Sequence, residues 1–383
     1  MPYVILFALC LFPFMAIGQE ANDRKEFISQ QALDLASSNN AFAFDLYNHL
    51  EPSGNLCFSP YSISSALVMC YNGAQNETKN EMSRVLRFKS TLDTLNESFS
   101  VLNRFFANAS KENLSKENLS KENPDFRIDI VNSLWVQSGM QIVPQFIEAL
   151  GKYFKAPLHP VDFLRQREIA REEINRFVKE KTMGRITNLV GPTDIDHSTK
   201  MVLVSSIYLK AKWKKPFEPQ LTKMEPFFVD DGKTVSIPTM HVKGFYPYHQ
   251  SKDFAAAEIG YIQPKEHLPK LAFLVLLPEK HLKLQELETK MNEEVFSDIL
   301  SHLESEELNI SLPKFTFTES FSLKNILTQM GMEKAFSPEA KQKDSTALRC
   351  EVKSFFCPLL DTRQYDTIFL SLFFRPTTSK YCS

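Results

Sequence analysis

Histidine and cysteine are the residues here from which catalysis or metal binding is most easily built, and their spacing favours neither. The eight histidines are scattered, and none has a cysteine, histidine or carboxylate at metal-ligand spacing. Cys350 and Cys357 are separated by six residues and have no histidine nearby. Signatures of a serine nucleophile elbow, a phosphate loop or a dinucleotide site are also missing from the sequence. We therefore predict no enzyme, no metal and no cofactor; the alternative is a hydrolase whose triad comes from distant residues.

The cysteines do not form the even set of a disulfide framework. Cys10 lies in an N-terminal apolar run, so a processed chain would keep five cysteines, of which at least one could not pair within the chain. Cys57 and Cys70 lie in strongly patterned apolar segments, where we expect buried free thiols. The remaining three cysteines lie in the C-terminal tail.

The N-terminus carries a candidate targeting segment. Residues 3–17 form an apolar run of 15 residues, shorter than the about 20 that a membrane span needs. Small residues at Ala16 and Gly18 suit signal peptidase, although the run is preceded by no Lys or Arg. We predict a signal peptide at 1–18 and a secreted, extracellular protein; the alternatives are a signal anchor or a buried N-terminal helix.

Secretion would allow N-linked glycans, and the sequence contains six Asn-x-Ser/Thr sequons. The sequon at Asn309 is the least favoured, because it lies inside a strand-like segment. The candidate glycosylation sites are Asn76, Asn96, Asn108, Asn113 and Asn118.

The overall charge excludes some classes of partner. The formal net charge is -2, and no basic stripe offsets it, because Lys111, Lys116 and Lys121 each precede a glutamate. Nucleic acid and anionic membranes are therefore not expected as partners. We expect a monomer.

Helical periodicity is clearest in the first mature segment. Leu35, Phe42 and Leu46 recur at spacings of seven and four, which predicts an amphipathic helix. Ser59 can cap the next helix, with Pro60 in its first turn. The repeated unit Ser-Lys-Glu-Asn-Leu gives residues 110–123 neither a helical nor a strand period, so we predict a low-complexity loop insertion.

Strand patterns alternate with these helices. Residues 125–130 alternate strictly, which indicates a half-buried strand, and 201–209 are nearly all apolar, which indicates a strand covered on both faces. Leu308, Ile310 and Leu312 alternate again. No segment resembles an interdomain linker, so we predict one α+β domain.

Several stretches, taken together and in this order, resemble the serpin family. They are NNAFAFDLY at 39–47, NLCFSPYSIS at 55–64, YNGA at 71–74, INRFV at 174–178, KTMGRI at 181–186, MVLVSSIYL at 201–209, FLVLLP at 273–278, LPKF at 312–315 and AFSPE at 335–339. The resemblance covers residues 30–339. It implies a single serpin-like α+β domain with a large mixed main sheet, smaller sheets and eight or nine helices.

The resemblance also implies a mechanism. Serpins inhibit serine-type proteases through an exposed loop near the C-terminus, which inserts into the main sheet once the protease has cut it. Residues that match Ser59 and Ser62 lie in that family beneath the point where the sheet parts, so we expect these two serines to govern strand insertion. Serine-type proteases are the implied partners.

The tail at 340–383 does not match the family. No Glu-Glu-Gly hinge and no run of small residues follows Glu339, so the bait residue is unknown and the fold is expected to be incomplete at its C-terminus. Residues 369–375 faintly resemble a final barrel strand, and a chance apolar run is the alternative. We predict a serpin-family protein with doubtful inhibitory competence; the alternative is a non-inhibitory secreted carrier on the same scaffold.

Overall fold

The structure is a computed structural model, and it gives the backbone of most of the region from residue 30 to residue 336 together with four short strands elsewhere. The described residues are 5–9, 30–50, 56, 58–112, 126–182, 184, 186–196, 199–228, 233–262, 271–315, 319–336, 353–356, 366–367 and 372–374. Asn55 and Cys57, both in the stretch with the strongest family resemblance, lie outside this set, as do Asn113 and Asn118.

Nine α-helices occur among the described residues, in agreement with the eight or nine implied by the resemblance. Their bounds are α1 Gln30–His49, α2 Pro60–Tyr71, α3 Asn76–Val85, α4 Leu92–Glu112, α5 Pro144–Ala149, α6 Arg167–Lys181, α7 Leu284–Lys290, α8 Glu293–Ser301 and α9 Lys324–Gln329. A π-helical turn, Leu150–Phe154, continues α5.

The predicted first helix is confirmed as α1. Leu35, Phe42 and Leu46 lie on its inner face and are almost fully buried, because their spacing places them one above another on consecutive turns. The helix ends at His49.

The predicted loop at 110–123 begins later than the sequence pattern indicated. Helix α4 runs on to Glu112, so Ser110 and Lys111 are helical. The helix is held by buried apolar residues further back, such as Phe99 and Phe106, and the repeat contains nothing in its first three residues that would break it. Residues 113–123 lie outside the described part of the chain.

A mixed sheet of four strands has the order β12–β4–β2–β3. Its strands are β2 Phe126–Gln137, β3 Leu158–Val161, β4 Met201–Ala211 and β12 Asp366–Thr367. Strands β2 and β4 are antiparallel along their whole length, whereas β3 is parallel to β2. The strands predicted at 125–130 and 201–209 are thereby confirmed, and the second is buried on both faces as expected.

A larger, wholly antiparallel sheet has the order β13–β1–β8–β7–β6–β5, with β9 beside β6. Its strands are β1 Ile5–Leu9, β5 Lys223–Phe228, β6 Thr234–Gln250, β7 Phe254–Gly260, β8 Ala272–Pro278, β9 Glu304–Pro313 and β13 Leu372–Phe374. The short strands β10 Glu319–Ser322 and β11 Lys353–Phe356 form a third sheet.

The apolar runs at 3–17 and 369–375, for which the sequence analysis left alternatives open, each contribute a strand to the antiparallel sheet. Strand β1 falls within the predicted signal peptide and is extended, not helical as one alternative proposed; the signal peptide itself stays a prediction. Strand β13 falls within the apolar run at 369–375 and pairs with β1.

One contiguous core joins the helices to both large sheets. The largest fully buried side chains are all phenylalanines, which explains why the sequence carries 32 of them. No helix in the described part of the chain is both long and apolar enough to cross a membrane.

Candidate functional site

Helix α2 is the element that carries the two serines identified by resemblance. Ser59 is its N-cap residue, with extended backbone, and its Oγ accepts a hydrogen bond from the backbone N–H of Ser62 at 3.2 Å. Pro60 occupies the first turn, as predicted. All twelve residues of α2 are buried, so the helix runs through the interior of the molecule.

The two faces of the mixed sheet can be told apart by their contacts. Trp135 of β2 packs edge-on against Phe177 of α6, with ring centroids 5.7 Å apart, so its side faces α6. Asn132, three residues earlier, points to the other face, where its Nδ2 donates to the carbonyl oxygen of Phe154 at 3.1 Å. Phe154 in turn contacts Phe99 of α4.

Helix α2 lies on this second face. Tyr61 packs against Phe99, with ring centroids 5.5 Å apart, and α2 also packs against β4. Ser205 of β4 is directly opposite Asn132 in the register, and directly opposed side chains share a face. Ser205 and Asn132 therefore face the side on which α2 lies.

On α2 and on the sheet face against which α2 lies are five small polar residues, which we call the serine cluster: Ser59, Ser62, Ser65, Asn132 and Ser205. Four of its side-chain oxygens are buried and have no hydrogen-bond partner among the described residues. They are Ser62 Oγ, Ser65 Oγ, Asn132 Oδ1 and Ser205 Oγ. Each such group costs about 1–3 kcal/mol relative to a satisfied one. The cluster is therefore chemically suited to receive further polar groups.

The cluster carries no charge of its own, and its neighbour Tyr61 is neutral. Burial raises the pKa of Tyr61 far above its ordinary value, and its hydroxyl donates to Asn103 Oδ1 at 3.0 Å. No histidine is hydrogen-bonded to a serine of the cluster in the described part of the chain.

The edge of β4 that faces away from β2 lies next to this cluster, and we call it the open edge. Among the described strands, only β12 pairs with this edge, and its two residues are opposite Lys210 and Ala211. On its other side, β4 pairs with β2 from Met201 to Ala211. Between Met201 and Leu209, no described strand pairs with this side of β4.

Sequence reasoning found two members of the cluster and missed three. Ser65 follows Ser59 and Ser62 at the same spacing of three, which places it near them on the helix. Ser205 and its neighbour Ser206 interrupt the apolar run at 201–209, a pattern that could have singled them out. Asn132 is brought to Ser205 by the β2–β4 register, which the sequence does not reveal.

The prediction of a free thiol at Cys70 is wrong, because Cys70 is disulfide-bonded. Cys57 and the remaining cysteines lie outside the described residues.

The sequons differ in exposure. Asn76 begins α3 and is exposed. Asn96 is buried, and its amide exchanges two hydrogen bonds with that of Asn72, at 2.9 and 2.8 Å. The folded chain therefore has no room for a glycan at Asn96, which contradicts its candidacy. Asn108 lies within α4, and Asn309 lies in β9, as expected, but is exposed.

Metal ligands were also sought in the structure. Among the described residues, no three histidine, cysteine or acidic side chains are grouped as a metal ion would require.

Comparison with known proteins identifies the family. The sequence model described as Serpin (serine protease inhibitor) matches residues 37–356, past the boundary at Glu339 at which the resemblance seemed to end. An uncharacterized serpin-like protein of Thermococcus kodakarensis is 33% identical over 298 residues, which are 78% of this chain and 65% of that protein. The leukocyte elastase inhibitor of Sus scrofa is 32% identical over 324 residues, 80% of this chain and 79% of that protein.

The fold agrees with this match. The structure of ovalbumin from emu (Dromaius novaehollandiae) superposes with a TM-score of 0.76 at 22% identity, covering 91% of this chain and 92% of that one. The family model covers well over half of the chain, the α+β architecture agrees with it, and the chain belongs to the serpin family.

Proposed function

We propose that this chain is a secreted serpin-family protein that serine-type endopeptidases recognise and cleave but that does not trap them. Recognition is supported by its relatives, one of which is named as an inhibitor of leukocyte elastase. Secretion is supported by the apolar run at 3–17 and the small residues that follow it.

The observation that carries the proposal is the open edge of β4 above the serine cluster. A chain that traps a protease by strand insertion needs a strand position in the sheet and a strand of its own to fill it. The open edge supports the first requirement. The tail at 340–383 offers no hinge and no run of small residues for the second, since bulky side chains cannot enter a packed interior.

In this proposal Ser59 and Ser62 keep the role that the family resemblance gave them. They lie at the start of α2, which packs against β4, and an entering strand would supply partners for the buried hydroxyl of Ser62. Without that strand, a protease that cuts the tail completes hydrolysis and leaves.

Incubation with trypsin, chymotrypsin and leukocyte elastase tests the proposal. Denaturing gels should show shortened chains, at Arg349 or Arg363 for trypsin, and no species of higher mass. The leukocyte elastase inhibitor of Sus scrofa, treated identically, is the positive control. A covalent complex of this chain that survives denaturant would overturn the proposal.

A further inference from the structure

A histidine is held between the mixed sheet and helix α6. The ring of His159, in β3, stacks on Trp135 of β2 with centroids 4.2 Å apart and planes 17° apart. Phe177 of α6 meets the His159 ring edge-on at 5.2 Å and meets Trp135 at 5.7 Å. The three rings thus connect α6 to two strands of the sheet, and we call them the aromatic clamp.

The polar contacts of the imidazole are incomplete in this position. Its Nε2 is buried and has no hydrogen-bond partner among the described residues. A protonated ring would need to donate from both nitrogens, so the neutral ring fits the site better than the cation. Burial accordingly lowers the pKa of His159 from its ordinary value.

The charged groups around the clamp come from α6. Glu173 raises the pKa of His159, but by less than burial lowers it. The Glu173 carboxylate is partly exposed and lies 4.0 Å from the Arg176 guanidinium. Lys181 Nζ lies 5.7 Å from the centroid of the Phe177 ring. Its positive charge disfavours a second positive charge on His159. Strand β3 carries no ionisable residue besides His159, and Ser133 and Gln137, which share the face of Trp135, are uncharged.

We propose that His159 is a pH-sensitive latch for α6: the neutral ring holds the helix against β2 and β3, and protonation releases it. A histidine whose pKa is lowered in the folded state binds its proton more readily when the site opens. The clamp is therefore at full strength above the ordinary histidine pKa of about 6.5 and weakens as the pH falls below it. The attraction of a cation to the Trp135 face offsets part of this loss.

Hydrogen exchange of the α6 amides, corrected for the intrinsic effect of pH, tests the latch. Between about pH 7.5 and 5, protection of α6 should fall about threefold or more, while protection of β2 and β4 changes less. His159→Phe keeps a stacking ring without a titrating group, so its α6 protection should not depend on pH. The matched control is His281→Phe at an exposed histidine, which should behave as the wild type.

Equal α6 protection at both pH values in the wild type would overturn the latch, as would the same loss in His159→Phe. If His159→Phe fails to fold, NMR titration of the wild type decides the matter. A His159 pKa below the ordinary histidine value of about 6.5 is expected, and one equal to it or above it would overturn the proposal.

Discussion

Substitution of a serine by alanine should raise the free energy of unfolding at one position of α2 and lower it at another. Ser65 is fully buried, and its Oγ has no hydrogen-bond partner among the described residues. Ser65→Ala removes an unsatisfied hydroxyl that costs about 1–3 kcal/mol and adds at most about 0.7 kcal/mol of helix propensity. We therefore expect Ser65→Ala to raise the free energy of unfolding by about 1–3 kcal/mol. Ser59→Ala should lower it by about 1 kcal/mol, because Ser59 caps the helix.

Ser64→Ala is the matched control within α2. It gains the same helix propensity as Ser65→Ala but loses the 2.6 Å hydrogen bond from Ser64 Oγ to Asn39 Oδ1, so its net effect should be near zero or destabilising. Urea unfolding followed by circular dichroism measures all three variants, with unchanged m-values as the check that the states compared are the same. Destabilisation by Ser65→Ala comparable to that by Ser64→Ala would refute the reasoning, because it would mean that the Ser65 hydroxyl is satisfied in the folded protein.

Further substitutions test other contacts. Reduction of the Cys70 disulfide with dithiothreitol should lower the free energy of unfolding by about 2–4 kcal/mol. The variant Cys70→Ser should show the same loss without reductant. Equal unfolding curves of the wild type with and without reductant would contradict the disulfide. Asn96→Gln should lower the free energy of unfolding in urea by about 1–3 kcal/mol, because Asn96 is buried. Asn76→Gln should lower it by less than about 1 kcal/mol and should remove any glycan mass. Equal losses in the two variants would contradict the difference in burial. Gly244→Ala would place its Cβ 2.6 Å from Lys215 Nζ, a movable side-chain end, so thermal unfolding should show a loss below about 1 kcal/mol.

The helices and the buried strands were predictable because their periodicity is local. Leu35, Phe42 and Leu46 define the inner face of α1 without reference to the rest of the chain, and the apolar run at 201–209 can only be a covered strand or a buried helix. The cap at Ser59 was predictable for the same reason, since a serine followed by a proline sets both the capping oxygen and the first-turn geometry.

The serine cluster was only half predictable because it depends on pairing across the chain. Asn132 and Ser205 are brought together by a register that spans more than seventy residues of sequence, and no local pattern fixes such a register. Burial is likewise a property of the whole fold. The sequon at Asn96 looks the same in sequence as the one at Asn76, and only the packing of α4 against the core separates them.

The open edge of β4 is tested most directly by amide hydrogen exchange along residues 201–207. Successive amides of a strand point to opposite sides, so every second amide should be protected by its bond to β2 and the others should exchange much faster. Alternating protection is the predicted result. Uniform protection along the strand would show that a strand already occupies the open edge, and would contradict the proposal that this chain is cleaved without trapping its protease.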